Sequence, residues 1–194
     1  SFLPLTSKIF SSFIDRGYVF SKILGLLLIS YIIFILGTLQ IIKFTQINII
    51  IIWAILFIPQ IWLLKDKKLF EKKDLKFFLV EELIFLSALL LWSYIKGFSP
   101  DIHDLEKFMD YGFVNSILRS DYFPPLDMWL PPFSINYYYF GHLFTAVITK
   151  LSSIPSFITF NIMLATIFAF TFSMSFSIGI NLINKIKEFS MKKT

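Results

Sequence analysis

The chain has 194 residues, is 56% hydrophobic with a mean hydropathy of +0.73, and carries a net charge of +5. A soluble domain is less apolar than this, and the apolar residues come in runs of about 20, long enough to cross a bilayer core of about 30 Å. The absence of cysteine excludes disulfides, thiol catalysis and cysteine metal sites, and the positive charge does not point to nucleic acid, because the lysines sit at the ends of apolar runs, where topology is encoded.

These features predict an all-α, polytopic helical membrane protein, one membrane domain over residues 1–194 with about five transmembrane helices. Residues 1–22 mix apolar and polar side chains with Lys8, Arg16 and Lys22 and suit a short interfacial helix ending near Gly17. No signal peptide pattern follows Ser1, and the chain stops just after an apolar run, so a fragment of something longer is expected. Span one is 23–42, and Lys43 to Gln46 make a turn. Span two is 47–64, with Pro59 kinking it. The loop 65–76 carries six lysines, a strong cytoplasmic signal.

That loop orients the rest. Span three, 77–96, runs outward, with Glu81 and Glu82 near its start. These acids read either as snorkelling to the interface or as a buried functional acid. The loop 97–136 is external, span four is 137–151, and span five is 156–183. This order leaves Lys185, Lys187, Lys192 and Lys193 outside, against the positive-inside rule. Thr166, Thr171, Ser173, Ser175, Ser177 and Gly179 in span five suit close helix packing or a polar pathway.

The polar stretch Asp101 to His142 holds Asp101, Asp104, Glu106, Asp110, Asp121 and Asp127 and both histidines, against Lys107 and Arg119 only. Ser99 as N-cap, Pro100 at the first helical position and Asp101 at the dipole's positive end predict a helix over 100–119. Leu105, Phe108, Met109, Phe113 and Ile117 would form its apolar stripe along the outer membrane surface. His103, Glu106 and Asp110 would share another face. They read as a solvated face, or as a divalent-metal site with His103 as ligand. Four prolines between Asp121 and Pro132 hold the next segment extended. Trp129, Tyr137, Tyr138 and Tyr139 suit either an interfacial aromatic belt or a wall that stacks on a sugar or lipid head group.

The strings Asp15-Arg16-Gly17-Tyr18, Glu106-Lys107-x-Met109-Asp110, Pro124-Pro125-x-Asp127-x-Trp129 and Asn136-Tyr137-Tyr138-Tyr139-Phe140-Gly141-His142 resemble the YYY membrane protein family of prokaryotes. The resemblance covers nearly the whole chain and implies the N-terminal part of a larger protein in a prokaryotic cell membrane. The family pattern often has a proline where Phe108 stands and a glycine where Pro131-Pro132 follow the tryptophan.

That family is in turn similar to membrane-embedded glycosyltransferases of the GT-C type, which use sugars carried on lipid phosphate. The similarity implies a first external loop with a short amphipathic helix and an acid near its start. Glu106 or Asp110 would be the general base. Arg119 would bind the lipid phosphate, and Asp127, Trp129, Asn136, Tyr137, Tyr138, Tyr139 and His142 would complete the substrate site. The competing reading is a transporter or scaffold whose external loop binds a partner.

Overall fold

The computed structural model describes residues 2–65, 72, 74–103 and 106–191. Most of the lysine-rich loop, and Asp104 with Leu105, lie outside the described residues. Seven helices follow one another among the described residues: α1 (Leu3–Ile9), α2 (Phe20–Thr38), α3 (Gln46–Leu63), α4 (Asp74–Gly97), α5 (Lys107–Arg119), α6 (Phe140–Ser152) and α7 (Ser156–Met191). The chain is a helical membrane protein. Three of these helices, α2, α3 and α7, are long and apolar enough to cross a membrane.

Local chemistry sets the helix ends. α2 stops before the expected Ile42 because Gln40 adopts a left-handed φ of 57°, which breaks the ladder. The Thr45 hydroxyl accepts from the Asn48 backbone N–H at 3.3 Å and so caps α3. α4 runs to Gly97, and its last lysine folds over the exit, Lys96 Nζ donating to the Ser99 carbonyl at 2.5 Å. α6 has 13 residues and rises about 20 Å at about 1.5 Å per residue, short of a core of about 30 Å. α7 has 36 residues and continues through Lys185 and Lys187, expected to lie beyond it; Lys192 and Lys193 lie outside the described residues.

The helix predicted over 100–119 begins only at Lys107. Ser99 and Pro100 serve other ends: the Ser99 N–H donates to the Lys96 carbonyl at 3.1 Å, finishing α4, and the Pro100 carbonyl accepts from Asn161 Nδ2 at 2.8 Å. The apolar stripe is also corrected. Phe113, Val114 and Ile117 are buried, whereas Phe108 is 63% exposed.

The chain divides into two compact units. Unit 1 comprises Ser1–Gly25, Phe57–Ile95 and Ala165–Thr194. Its apolar centre is Phe85, Ala88, Ala169 and Phe170. Unit 2 comprises Leu26–Leu56 and Lys96–Leu164. There α5 packs on α6, and Phe123 sits among Phe34, Phe44 and Tyr139. Gly37 is required at that contact, since a Cβ there would lie 2.6 Å from the Phe123 ring.

Candidate functional site

The polar stretch forms a layer in unit 2. Tyr111 and Asn115 on α5 both reach Ser156 at the start of α7, with O···O distances of 3.0 Å each. Thr149 on α6 meets Thr159 on α7 at 2.6 Å. These hydroxyl contacts fix α5 and α6 against the first turns of α7. The proline-rich segment then closes over α5. A bridge pairs Leu126 with Ser134, Asp127 N–H donates to the Phe133 carbonyl at 2.7 Å, and Ile135 N–H donates to the Pro125 carbonyl at 2.9 Å.

Asp110 and His142 meet in this layer. Asp110 Oδ1 lies 3.0 Å from His142 Nε2. The histidine is 16% exposed and the aspartate 36%, so the carboxylate is the more open to solvent of the two. His142 Nδ1 is buried with no partner among the described residues. A proton there would be an unsatisfied buried donor, which costs about 1–3 kcal/mol. The favoured tautomer therefore carries its hydrogen on Nε2 and donates it to Asp110. The second oxygen, Oδ2, has no donor among the described residues. Phe113 holds the ring edge-on at 5.3 Å and also touches Trp129 and Tyr137, at 6.3 and 5.8 Å. Tyr137 donates to the Tyr138 hydroxyl at 3.0 Å, and both rings are exposed.

A separate cavity of about 720 Å³ opens on another face of α5. Arg119, Asp121, Asp127, Tyr111 and Asn115 are among its lining residues. Arg119 has no carboxylate within ion-pair distance among the described residues and is exposed. At 3.6 residues per turn, Asp110 and Arg119 lie about half a revolution apart. The structure thus separates the two groups expected to share one site: Arg119 and Asp127 face the cavity, while Asp110, His142, Trp129 and Tyr137 gather around Phe113. Asp127 is partly spent on the loop itself, its Oδ1 accepting from the backbone N–H groups of Trp129 and Leu130 at 2.8 and 3.2 Å. Asp121 pairs with Lys43 at 2.8 Å, and that hydrogen bond raises the lysine above its ordinary value.

The remaining expected site residues are scattered. Glu106 is exposed at the N-cap position of α5 and its side chain caps nothing. His103 precedes the helix and is exposed, so it does not share a helical face with Glu106 and Asp110. No three metal-ligating side chains come together among the described residues. Asn136 is exposed, and Tyr139 is half-buried beside Phe34 and Phe123.

Glycine at 112 is what lets the loop close. A Cβ there would fall 1.9 Å from Met128 Sδ. Gly112→Ala should therefore lower the melting temperature in nanodiscs, with a cost of about 1–3 kcal/mol for overpacking. Adding Met128→Ala should recover part of that loss, and an unchanged melting temperature in the single variant would refute the contact.

Unit 1 holds a second polar centre. Asp15 is fully buried. It accepts from Gly17 N–H at 2.9 Å, from Asn181 Nδ2 at 3.0 Å, and from the Ser177 hydroxyl in a short contact. Glu81 is fully buried and accepts from Val19 N–H at 3.2 Å. Of the two readings of the acids in α4, burial therefore applies to Glu81. Glu82, one residue on, accepts from the Tyr18 hydroxyl at 2.8 Å and pairs closely with Lys22. Burial, and then the Glu82 carboxylate, push the Tyr18 hydroxyl above its usual range. The string Asp15-Arg16-Gly17-Tyr18 was legible as a motif, but nothing in its spacing pointed to partners in α4 and α7.

No curated protein and no solved structure matches the chain. A family model described as uncharacterized membrane protein (DUF2298) matches residues 28–192. That match takes in α3 to α7 with most of α2, including Asp110, His142 and the whole loop between them, and the chain belongs to this family of membrane proteins.

Proposed function

We propose that this chain is part of a membrane-embedded glycosyltransferase resembling the GT-C type, with Asp110 as general base. The observation that carries the reading is the Asp110–His142 pair at 3.0 Å. A histidine fixed by burial orients one carboxylate oxygen and leaves the other free to take a proton from an acceptor hydroxyl. Oxygen of that hydroxyl would then attack the anomeric carbon as the bond to the lipid phosphate breaks. The exposed Trp129, Tyr137 and Tyr138 offer ring faces to a sugar or a lipid head group. Arg119 suits the lipid phosphate, since guanidinium matches phosphate oxygens. It would do so from the cavity face of α5, so a donor would have to reach around the helix. The test is transfer from a polyprenyl-phosphate sugar by the full-length protein in nanodiscs. Release of free lipid phosphate coupled to acceptor glycosylation supports the reading, and absence of both binding and transfer over a panel of such donors rejects it. The transporter reading draws on Glu81, a buried acid in α4, because ionisable groups inside membrane helices mark transport paths.

We propose that α2, α3, α4 and α7 cross, and that α5 and α6 form an external layer. α6 is 13 residues long. Ser177 and Asn181 of α7 bond to Asp15, and Arg16 pairs with Asp74 at 3.5 Å, where α4 leaves the lysine-rich loop. α7 then ends on the cytoplasmic side, and its terminal lysines obey the positive-inside rule. Single cysteines at Lys68 and Lys187 should label from the same side of intact cells and one at Asp121 from the other. Labelling of 187 together with 121 would restore five crossings.

A further inference from the structure

Glu81 Oε1 is buried, and no donor among the described residues reaches it. Its surroundings make this a chemical question. Glu81 Oε2 accepts from Val19 N–H and Asp15 Oδ1 from Gly17 N–H, donors two residues apart in one turn, so the two carboxyl groups are neighbours. Ser177 has a single hydroxyl hydrogen and gives it to Asp15 Oδ2. Asp15 is an acceptor already holding three donors, from Gly17, Ser177 and Asn181. Two acidic side chains therefore sit close together, both fully buried, with no donor among the described residues left for Glu81 Oε1. An unpaired charge in such a place is costly, and like charges at contact distance cannot both persist.

We propose that Asp15 and Glu81 form a proton-binding site, one proton residing on Glu81 Oε1 and donated to Asp15. The assignment to Glu81 follows from the donor inventory: Asp15 is satisfied as an acceptor, while Glu81 has one filled oxygen and one empty one. The neighbouring charges do not take this role. Glu82 is occupied by Lys22 and Tyr18, and Arg16 pairs with Asp74 and bonds to the Ser11 carbonyl at 2.9 Å. Lys22 Nζ lies over the Phe85 ring at 4.3 Å. The proton joins three segments, the 15–19 turn, α4 and α7, so its loss would put two carboxylates side by side and push those segments apart. Because the folded form binds a proton that the unfolded chain releases at neutral pH, stability falls as pH rises through its release.

Infrared spectroscopy of the full-length protein in nanodiscs reads the site directly, with protons as the probe. At neutral pH the parent should show the carbonyl stretch of a protonated carboxylic acid, shifting on deuterium exchange. Glu81→Gln should remove that band and keep the fold, since its amide N–H₂ donates to Asp15 as the acid does. Glu82→Gln should leave the band in place. Raising pH should abolish the band and lower the melting temperature of the parent, and should leave the melting temperature of Glu81→Gln flat by comparison. A parent lacking the band at neutral pH overturns the proposal without recourse to any variant. So does a band surviving in Glu81→Gln, or one displaced by sodium, which would give the site to a cation instead. None of these readouts depends on glycosyl transfer.

Discussion

Asp110→Asn should lower the turnover of a polyprenyl-phosphate sugar by about 10²- to 10⁴-fold, the usual worth of general-base catalysis. The substitution keeps the side-chain shape, and the amide oxygen still accepts from His142 Nε2, which lies 3.0 Å from the parent oxygen. Folding and donor binding should therefore persist, with kcat falling and KM nearly unchanged, as expected when an interaction acts in the transition state alone. His142→Ala removes the orienting donor but not the base, so its loss should be smaller. Glu106→Gln should cost little, because Glu106 is exposed and its side chain caps nothing. Arg119→Ala should act differently, raising KM by weakening the hold on phosphate. If Asp110→Asn turns over at the parental rate while Glu106→Gln is inactive, the base is Glu106. If both run at the parental rate, the catalytic reading fails.

What the sequence disclosed follows the range of the physics involved. Hydropathy is a local property, so α2, α3 and α7 fall close to where runs of apolar residues put them. Helix termini were less legible. Ser99-Pro100-Asp101 has the composition of a helix start, yet Lys96 and Asn161 claim its carbonyls and α5 opens at Lys107. The helical spacing of α5 takes Phe108 into the apolar stripe, because spacing alone cannot say that Val114 is buried while Phe108 is exposed. For the site, the sequence offers residues singly and not the pairs they form. Asp110 and His142 were both singled out, but they are far apart in sequence, and only packing of α5 on α6 makes them a pair. In the sequence, Asp15 stands only as the first residue of the string Asp15-Arg16-Gly17-Tyr18. Its partners Ser177 and Asn181 stand more than 160 residues away, a separation no local pattern spans.

Asp15→Ala should be among the most damaging single substitutions in unit 1. Asp15 is fully buried and holds Gly17 N–H, the Ser177 hydroxyl and Asn181 Nδ2. Truncation leaves all three without their acceptor, at about 1–3 kcal/mol for each buried donor that finds no other. Asn181 has a fallback contact, since its Nδ2 also donates to the Ser177 carbonyl at 2.8 Å. The Gly17 N–H has none among the described residues, and the turn it closes is left-handed at both Arg16 and Gly17, with φ of 54° and 66°. Arg16 is not a glycine, so that turn is strained and persists only while its surroundings hold it. Glu81 would also lose the oxygen it faces. The expected sum is about 3–5 kcal/mol, the usual penalty for breaking a buried charged network. It should appear as a large drop in melting temperature and in folded yield from the membrane. Asp15→Asn retains one acceptor oxygen for the Gly17 N–H and should lie between Asp15→Ala and the parent. Ser177→Ala removes one donor from an acceptor that keeps two, and should cost least of the three. An Asp15→Ala protein as stable as the parent would mean that the turn and α7 are held by their apolar contacts alone.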